Sequence, residues 1–119
     1  MIILREKEQP LEEMAQFKGF GIIIEVRSND HGKFGNKEMP AHAHILDGSG
    51  KEIAQVALTK ETPKVPSDIN WYRTENPTGR LASAIIKLAN SPSKTAQEAG
   101  GRLTVWQNVL NLWFIFHGK

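Results

Sequence analysis

The residues whose types and spacing could do chemistry are histidines: His42-Ala43-His44, preceded by His31, with Asp30 and Asp47 close by in the chain. Side chains alternate faces along a strand, so His42 and His44 project to one side about 7 Å apart at the backbone, and Ala41, Ala43 and Ile45 to the other. Two imidazoles so placed can converge on one divalent ion at about 2.0–2.1 Å, provided a third ligand arrives from a neighbouring strand or loop. His31 is the natural third ligand, because pairing of the preceding strand with the His-x-His strand returns it to the start of that segment. Asp30 and Asp47 could add a carboxylate. Glu25 is a weaker option, since its use depends on which face of its own strand carries the site. A metal held there would polarise a phosphoryl or carbonyl oxygen and activate water, giving hydrolytic activity. Imidazoles also titrate near neutrality, so metal-free acid–base or phosphate-binding use is a second reading, and a structural pair on a sheet face is a third.

The elements that must position these residues are legible as patterns. Phe20-Gly21-Ile22-Ile23-Ile24-Glu25-Val26-Arg27-Ser28 is β-branched and alternating, which predicts a strand with Phe20, Ile22, Ile24 and Val26 on its core face. Residues 29–39 combine Gly, Asn and Asp and predict an exposed loop. Strands follow at 41–46 and 52–58, joined by the tight connection Asp47-Gly48-Ser49-Gly50. Upstream, Leu11, Met14 and Phe17 at helical spacing after Pro10 predict a short helix over 11–18, ended by Gly19. Residues 60–76 contain Pro63 and Pro66 and predict an ordered loop pinned by Trp71 and Tyr72. Leu81, Ile85, Leu88 and Ala89 predict a helix over 78–89 with Arg80 and Lys87 facing outward. A last helix is expected over about 93–117, with Leu103, Trp106, Leu110, Trp113 and Phe114 on one side; Gly100-Gly101 would allow it to begin near Arg102. The fold class implied is α+β: a small antiparallel meander of about three strands, residues 20–58, packed against C-terminal helices.

Composition bounds the function. With 119 residues, 39% apolar and 24% charged, the chain reads as one globular domain, 1–119. The absence of cysteine excludes disulfide scaffolds, thiolate zinc sites and every Cys nucleophile. Met1-Ile2-Ile3-Leu4 runs straight into charged residues, so no signal-peptide core is expected; the stretch 105–116 is too short and too interrupted to span a bilayer. A cytoplasmic protein without a membrane segment is the expectation. The net charge of +2 is too small to indicate nucleic acid. Residues 51–94 are nevertheless the basic part, and Lys60, Lys64, Arg73 and Arg80, with Lys87, are candidates for phosphate or nucleic acid, against the plainer reading of a solvated surface.

Several motif readings fail on the residues. Histidine-triad hydrolases need a third His where Leu46 stands, and cupins need a Glu between Asp47 and Glu52. Gly19-Phe20-Gly21 lacks the third glycine of a dinucleotide fingerprint, and Asp47-Gly48-Ser49-Gly50 is explained by turn chemistry rather than calcium.

Read together, Asn29-Asp30-His31 after one strand and Pro40-Ala41-His42-Ala43-His44 on the next resemble a family of short prokaryotic domains of unknown function. Its members carry an acidic residue and His after the first strand, then Pro-Pro-His-x-His. The resemblance covers roughly 20–58, with a looser likeness in the C-terminal helix. Here Ala41 replaces the second Pro, and eight residues, 32–39, separate His31 from Pro40. The resemblance implies a small intracellular α+β protein of a toxin–antitoxin-like pair and supplies no reaction. A non-catalytic module that docks a protein partner or a second copy is therefore the alternative to a histidine site, with Trp113 or Phe116 as its contact residues.

Overall fold

The computed structural model describes residues 14–28, 41–74, 78–93 and 103–117. The expected loop at 29–39, with Asp30 and His31, lies outside them, as does Gly100-Gly101.

Residues 14–74 form a five-stranded sheet in which every strand is antiparallel to its neighbours and follows sequence order. The strands are β1 (Met14–Gly19), β2 (Ile22–Arg27), β3 (His42–Asp47), β4 (Glu52–Ala57) and β5 (Trp71–Thr74). The sheet thus has two strands more than the meander expected from the sequence. The segment expected as a helix over 11–18 contributes β1 instead. Ala15 and Phe17 alternate as well as Met14 and Phe17 repeat, and pairing Ala15 with Val26 and Phe17 with Ile24 puts both on the core side of a ready-made partner. The segment expected as a loop over 60–76 holds a single 3-10 turn, Pro66–Asp68, and the four-residue β5.

One face of the sheet is the core face. Ile22, Ile24 and Val26 of β2, Ala43 and Ile45 of β3, and Ala54 and Val56 of β4 form one cluster with residues of two helices, α1 (Gly79–Ala89) and α2 (Val105–His117). From α1 come Ala82, Ile85, Leu88 and Ala89, from α2 Val105, Trp106, Val109 and Trp113. Each large apolar side chain so buried contributes roughly 1.5–3 kcal/mol.

Both helices start where side chains replace missing backbone acceptors. Thr78 Oγ1 accepts from Leu81 N at 3.1 Å, so α1 begins as expected, and Arg80 and Lys87 are exposed on it. Gln107 N donates to Thr104 Oγ1 and Thr104 N donates to Gln107 Oε1, a reciprocal cap that fixes the start of α2 at Val105 rather than near 93 or 102. Ser93 N to Leu103 O and Val105 N to Ser91 O, both 2.8 Å, hold the two helices' ends together. Trp106 Nε1 donates to Thr59 O at 2.9 Å, tying α2 to the loop after β4. Of the side expected to be buried on this helix, Trp106 and Trp113 are in the core and Leu103 and Leu110 are half-buried. Phe114, by contrast, is 52% exposed.

Phe20 also departs from expectation. It is 56% exposed, because β1 and β2 are joined by a two-residue turn, Phe20-Gly21, in which both residues have positive φ, +52° and +83°. Such turns match the twist of the strands and favour Asn-Gly; a bulky first residue is strained there. Phe20→Asn is therefore expected to raise stability by about 1 kcal/mol in urea unfolding, whereas Gly21→Val should lower it by at least as much. An unchanged or lower midpoint for Phe20→Asn would contradict this account of the turn.

Candidate functional site

Register decides what the second face carries. Gln16 pairs with Glu25, Glu25 with His44, His44 with Gln55, and Gln55 with Arg73, so one polar row crosses all five strands. Parity places Arg27 and His42 on the same side. Glu25 and His44 are 3% and 4% exposed and His42 is 1% exposed, so these polar groups are inside the protein.

Glu52 reaches this row through a bulge. Ile45 pairs with Ala54 but Leu46 pairs with Glu52, leaving Ile53 as the extra residue. In an unbroken ladder Glu52 would share the parity of Ala54 and Val56 and point to the core; the bulge turns it to the histidine side. There Glu52 Oε1 lies 2.7 Å from His44 Nδ1, and Glu52 Oε2 accepts from Gln55 Nε2 at 2.8 Å. Arg27 stands between the two carboxylates: its Nε is 2.5 Å from Glu25 Oε1 and its Nη2 is 3.8 Å from Glu52 Oε1. Gln16 Nε2 donates to the other oxygen of Glu25 at 2.7 Å.

Burial pulls the Glu52 carboxyl upward, but hydrogen bonds from Gln55 and His44 and the charges of His44 and Arg27 outweigh it, and its pKa lies below the ordinary 4.5. An ionised Glu52 only accepts, so the proton of a neutral His44 ring sits on Nδ1 and the lone pair on Nε2. The guanidinium of Arg27 thus stands between two carboxylates, and Arg73 is the second guanidinium of the row.

Aromatic rings enclose His42. Its ring centroid lies 5.4 Å from that of His44, 5.3 Å from Tyr72 in a stacked arrangement, and 5.0 Å from Trp113. His117 packs on the other contact of Trp113, at 3.8 Å, and its Nε2 donates to the backbone carbonyl of Arg27 at 2.9 Å. The last turn of α2 is thereby fastened to the strand that carries Glu25 and Arg27.

The sequence-derived candidates distribute as follows. His42 and His44 share one face as expected, and Glu25 joins them. Asp47 sits at the far end of β3, its Oδ1 accepting from Ser49 N, Ser49 Oγ and Lys51 N at 2.7–3.0 Å, as the turn reading requires. Its pKa is lowered, chiefly by the Ser49 hydroxyl and then by the two backbone donors. Asp30 and His31 lie outside the described residues. Among the described residues no group of three His, Asp or Glu side chains stands in metal-holding geometry. Lys60 and Lys64 line a cleft of about 560 Å³ together with Thr59, Thr62, Asp68 and Gln107. Arg73 belongs to the polar row, beside a 360 Å³ depression that it lines with Glu52 and Thr74. Arg80 is exposed on α1. No local pattern marks Glu52 or Trp113 as neighbours of the histidines, because a bulge brings the first and helix docking the second, whereas Arg27 follows Glu25 by parity once β2 is registered on β3.

Glu52 also sets a pH dependence. Its folded pKa is depressed, so the stability it supplies is complete above its unfolded pKa and is lost as pH falls through the folded value. The wild-type unfolding midpoint is expected to drop more steeply between about pH 5 and pH 3 than that of Glu52→Gln, which should be the less stable protein at pH 7. Parallel pH profiles for the two would show that Glu52 does not act through its charge.

No family model, no curated protein and no solved structure matches the chain.

Proposed function

We propose that the His42/His44 face is the functional site and that it binds a divalent cation, with His42 and His44 as two of its ligands. The observation that carries this reading is the 2.7 Å contact between Glu52 and His44 Nδ1. A carboxylate behind an imidazole fixes the ring and its tautomer and raises the basicity of the other nitrogen, which is how metal-ligating histidines are held. The expected further ligands are His31 and Asp30, as the resemblance to the domains with an acidic-His then Pro-Pro-His-x-His signature implies.

A phosphate-containing ligand is the other occupant suggested by the imidazoles. Among the described residues the face carries two carboxylates, Glu25 and Glu52, and two guanidinium groups, Arg27 and Arg73, so charge does not choose between the occupants; the contact of Glu52 with His44 Nδ1 is what favours the cation. A bound cation would polarise a phosphoryl or carbonyl oxygen, and a substrate carrying such a group would approach through it.

Metal content of the purified protein, followed by zinc, manganese and nickel titration, tests the reading. Wild type is expected to hold close to one ion per chain. Glu52→Gln should weaken binding by about 10–100-fold, the range for loss of an orienting partner. His42→Gln/His44→Gln should abolish it, with circular dichroism confirming that the variant is folded. No bound metal and no titration signal in folded wild type, or unchanged affinity in the folded double variant, would overturn the proposal.

A further inference from the structure

A second bulge acts on the histidine face from the other side of β4. Ala54 pairs with Thr74 and Gln55 with Arg73, but Val56 pairs with Trp71, which leaves Tyr72 as the extra residue on β5. In an unbroken ladder continued from Trp71, Arg73 would stand opposite Ala54 and point to the core face. The bulge gives the histidine face two consecutive residues instead. Tyr72 stacks on His42 at 5.3 Å, and Arg73 stands across Gln55 from His44. Two strand spacings, about 10 Å at the backbone, separate Arg73 from His44.

Arg73 is exposed, and among the described residues no carboxylate pairs with it. Glu52, which lines the same 360 Å³ depression, is already engaged by His44, Gln55 and Arg27. Of Lys60, Lys64, Arg73 and Arg80, only Arg73 shares the histidine face. The two lysines line the separate cleft that also carries Glu61 and Asp68, and Arg80 is on α1, which packs on the core face.

We infer that Arg73 binds the phosphoryl group of a phosphate monoester that the cation on His42 and His44 also contacts. This deepens the cation reading and rests on it for the second contact. That reading leaves the polarised oxygen as phosphoryl or carbonyl, and a guanidinium chooses between them. The carbonyl of an ester or amide is neutral, whereas a phosphoryl group takes two parallel N–H bonds from the planar fork. A carboxylate offers only two oxygens, both of which the fork would occupy. A terminal phosphate carries about two negative charges at pH 7 and three acceptor oxygens, so it can meet a divalent ion and a guanidinium at once; a diester has fewer of both.

Isothermal titration of inorganic phosphate, phenyl phosphate and dimethyl phosphate into manganese-loaded protein tests the inference. Wild type should bind the first two, and dimethyl phosphate roughly tenfold more weakly. Arg73→Gln should weaken phenyl phosphate binding by about 10–100-fold, the range for losing hydrogen bonds to a charged group, and Arg73→Lys, which keeps the charge but not the fork, by less. Because Arg73 is exposed, both variants should keep the wild-type thermal midpoint, and their manganese affinity should not fall. Manganese bound without phenyl phosphate, or phenyl phosphate bound equally well by Arg73→Gln, would overturn the inference and leave the cation reading standing. Dimethyl phosphate bound as tightly as phenyl phosphate would overturn the choice of a monoester. If wild type takes up no manganese, the cation reading falls; phosphate binding that still depends on Arg73 would then support Arg73 as the anchor, and its absence would overturn both.

Discussion

A carboxylate 3% exposed in the middle of a sheet has to be compensated, and the polar face of this protein is arranged around that requirement. Glu25 is met by Arg27 on one oxygen and by Gln16 on the other. Arg27 in turn lies beside Glu52, and Glu52 is held by Gln55 and His44. Glu25 and His44 are the buried members, and the exposed or part-exposed Gln16, Arg27 and Glu52 supply them with partners. Removing Arg27 or Gln16 therefore takes a partner from a carboxylate that stays buried, at a cost larger than the net contribution of a single hydrogen bond.

The same network restricts how the strands can pair. A one-residue slip of β2 against β3 would carry Glu25 into the cluster of Ile24, Ile45 and Val56 and bring Ile24 beside His44. An apolar sheet buried on both sides could tolerate such a slip far better. The polar row consequently acts as a register lock, a use of buried ionic groups that is better attested than any large contribution to stability. It also explains why β2 and β3 are buried on both faces yet are not uniformly apolar.

How much of this was legible in the sequence follows from which information is local. The strands β2, β3 and β4 were visible in alternation and turn residues, and α1 in the spacing of Leu81, Ile85 and Leu88 after a capping Thr78. The first strand is not legible because Leu11, Met14 and Phe17 imitate a helical period over a segment too short for the period to decide; only pairing with β2 decides it. The last strand, β5, is four residues long and irregular in register, below the length at which alternation is informative. At the site, the shared face of His42 and His44 followed from parity alone. The place of Glu25 needed the β2–β3 register, and that of Glu52 needed a bulge that no local residue pattern announces.

That bulge links fold to site most directly. At Ile53 the chain takes one residue more than its partner strand, and the residues on either side of it serve opposite faces: Glu52 the histidines, Ala54 and Val56 the core. Without it, either Glu52 would enter the apolar cluster or the β4 core residues would turn away from it. Placing a His-orienting carboxylate on this strand while keeping its alternation for the core requires an extra residue at this point. The local geometry that makes His44 a defined donor and acceptor is thus obtained from a departure in strand pairing and not from a dedicated loop. Because β4 is also fastened by its partners on both sides, β3 and β5, the carboxylate is presented from a rigid element, as a site that must hold one tautomer requires.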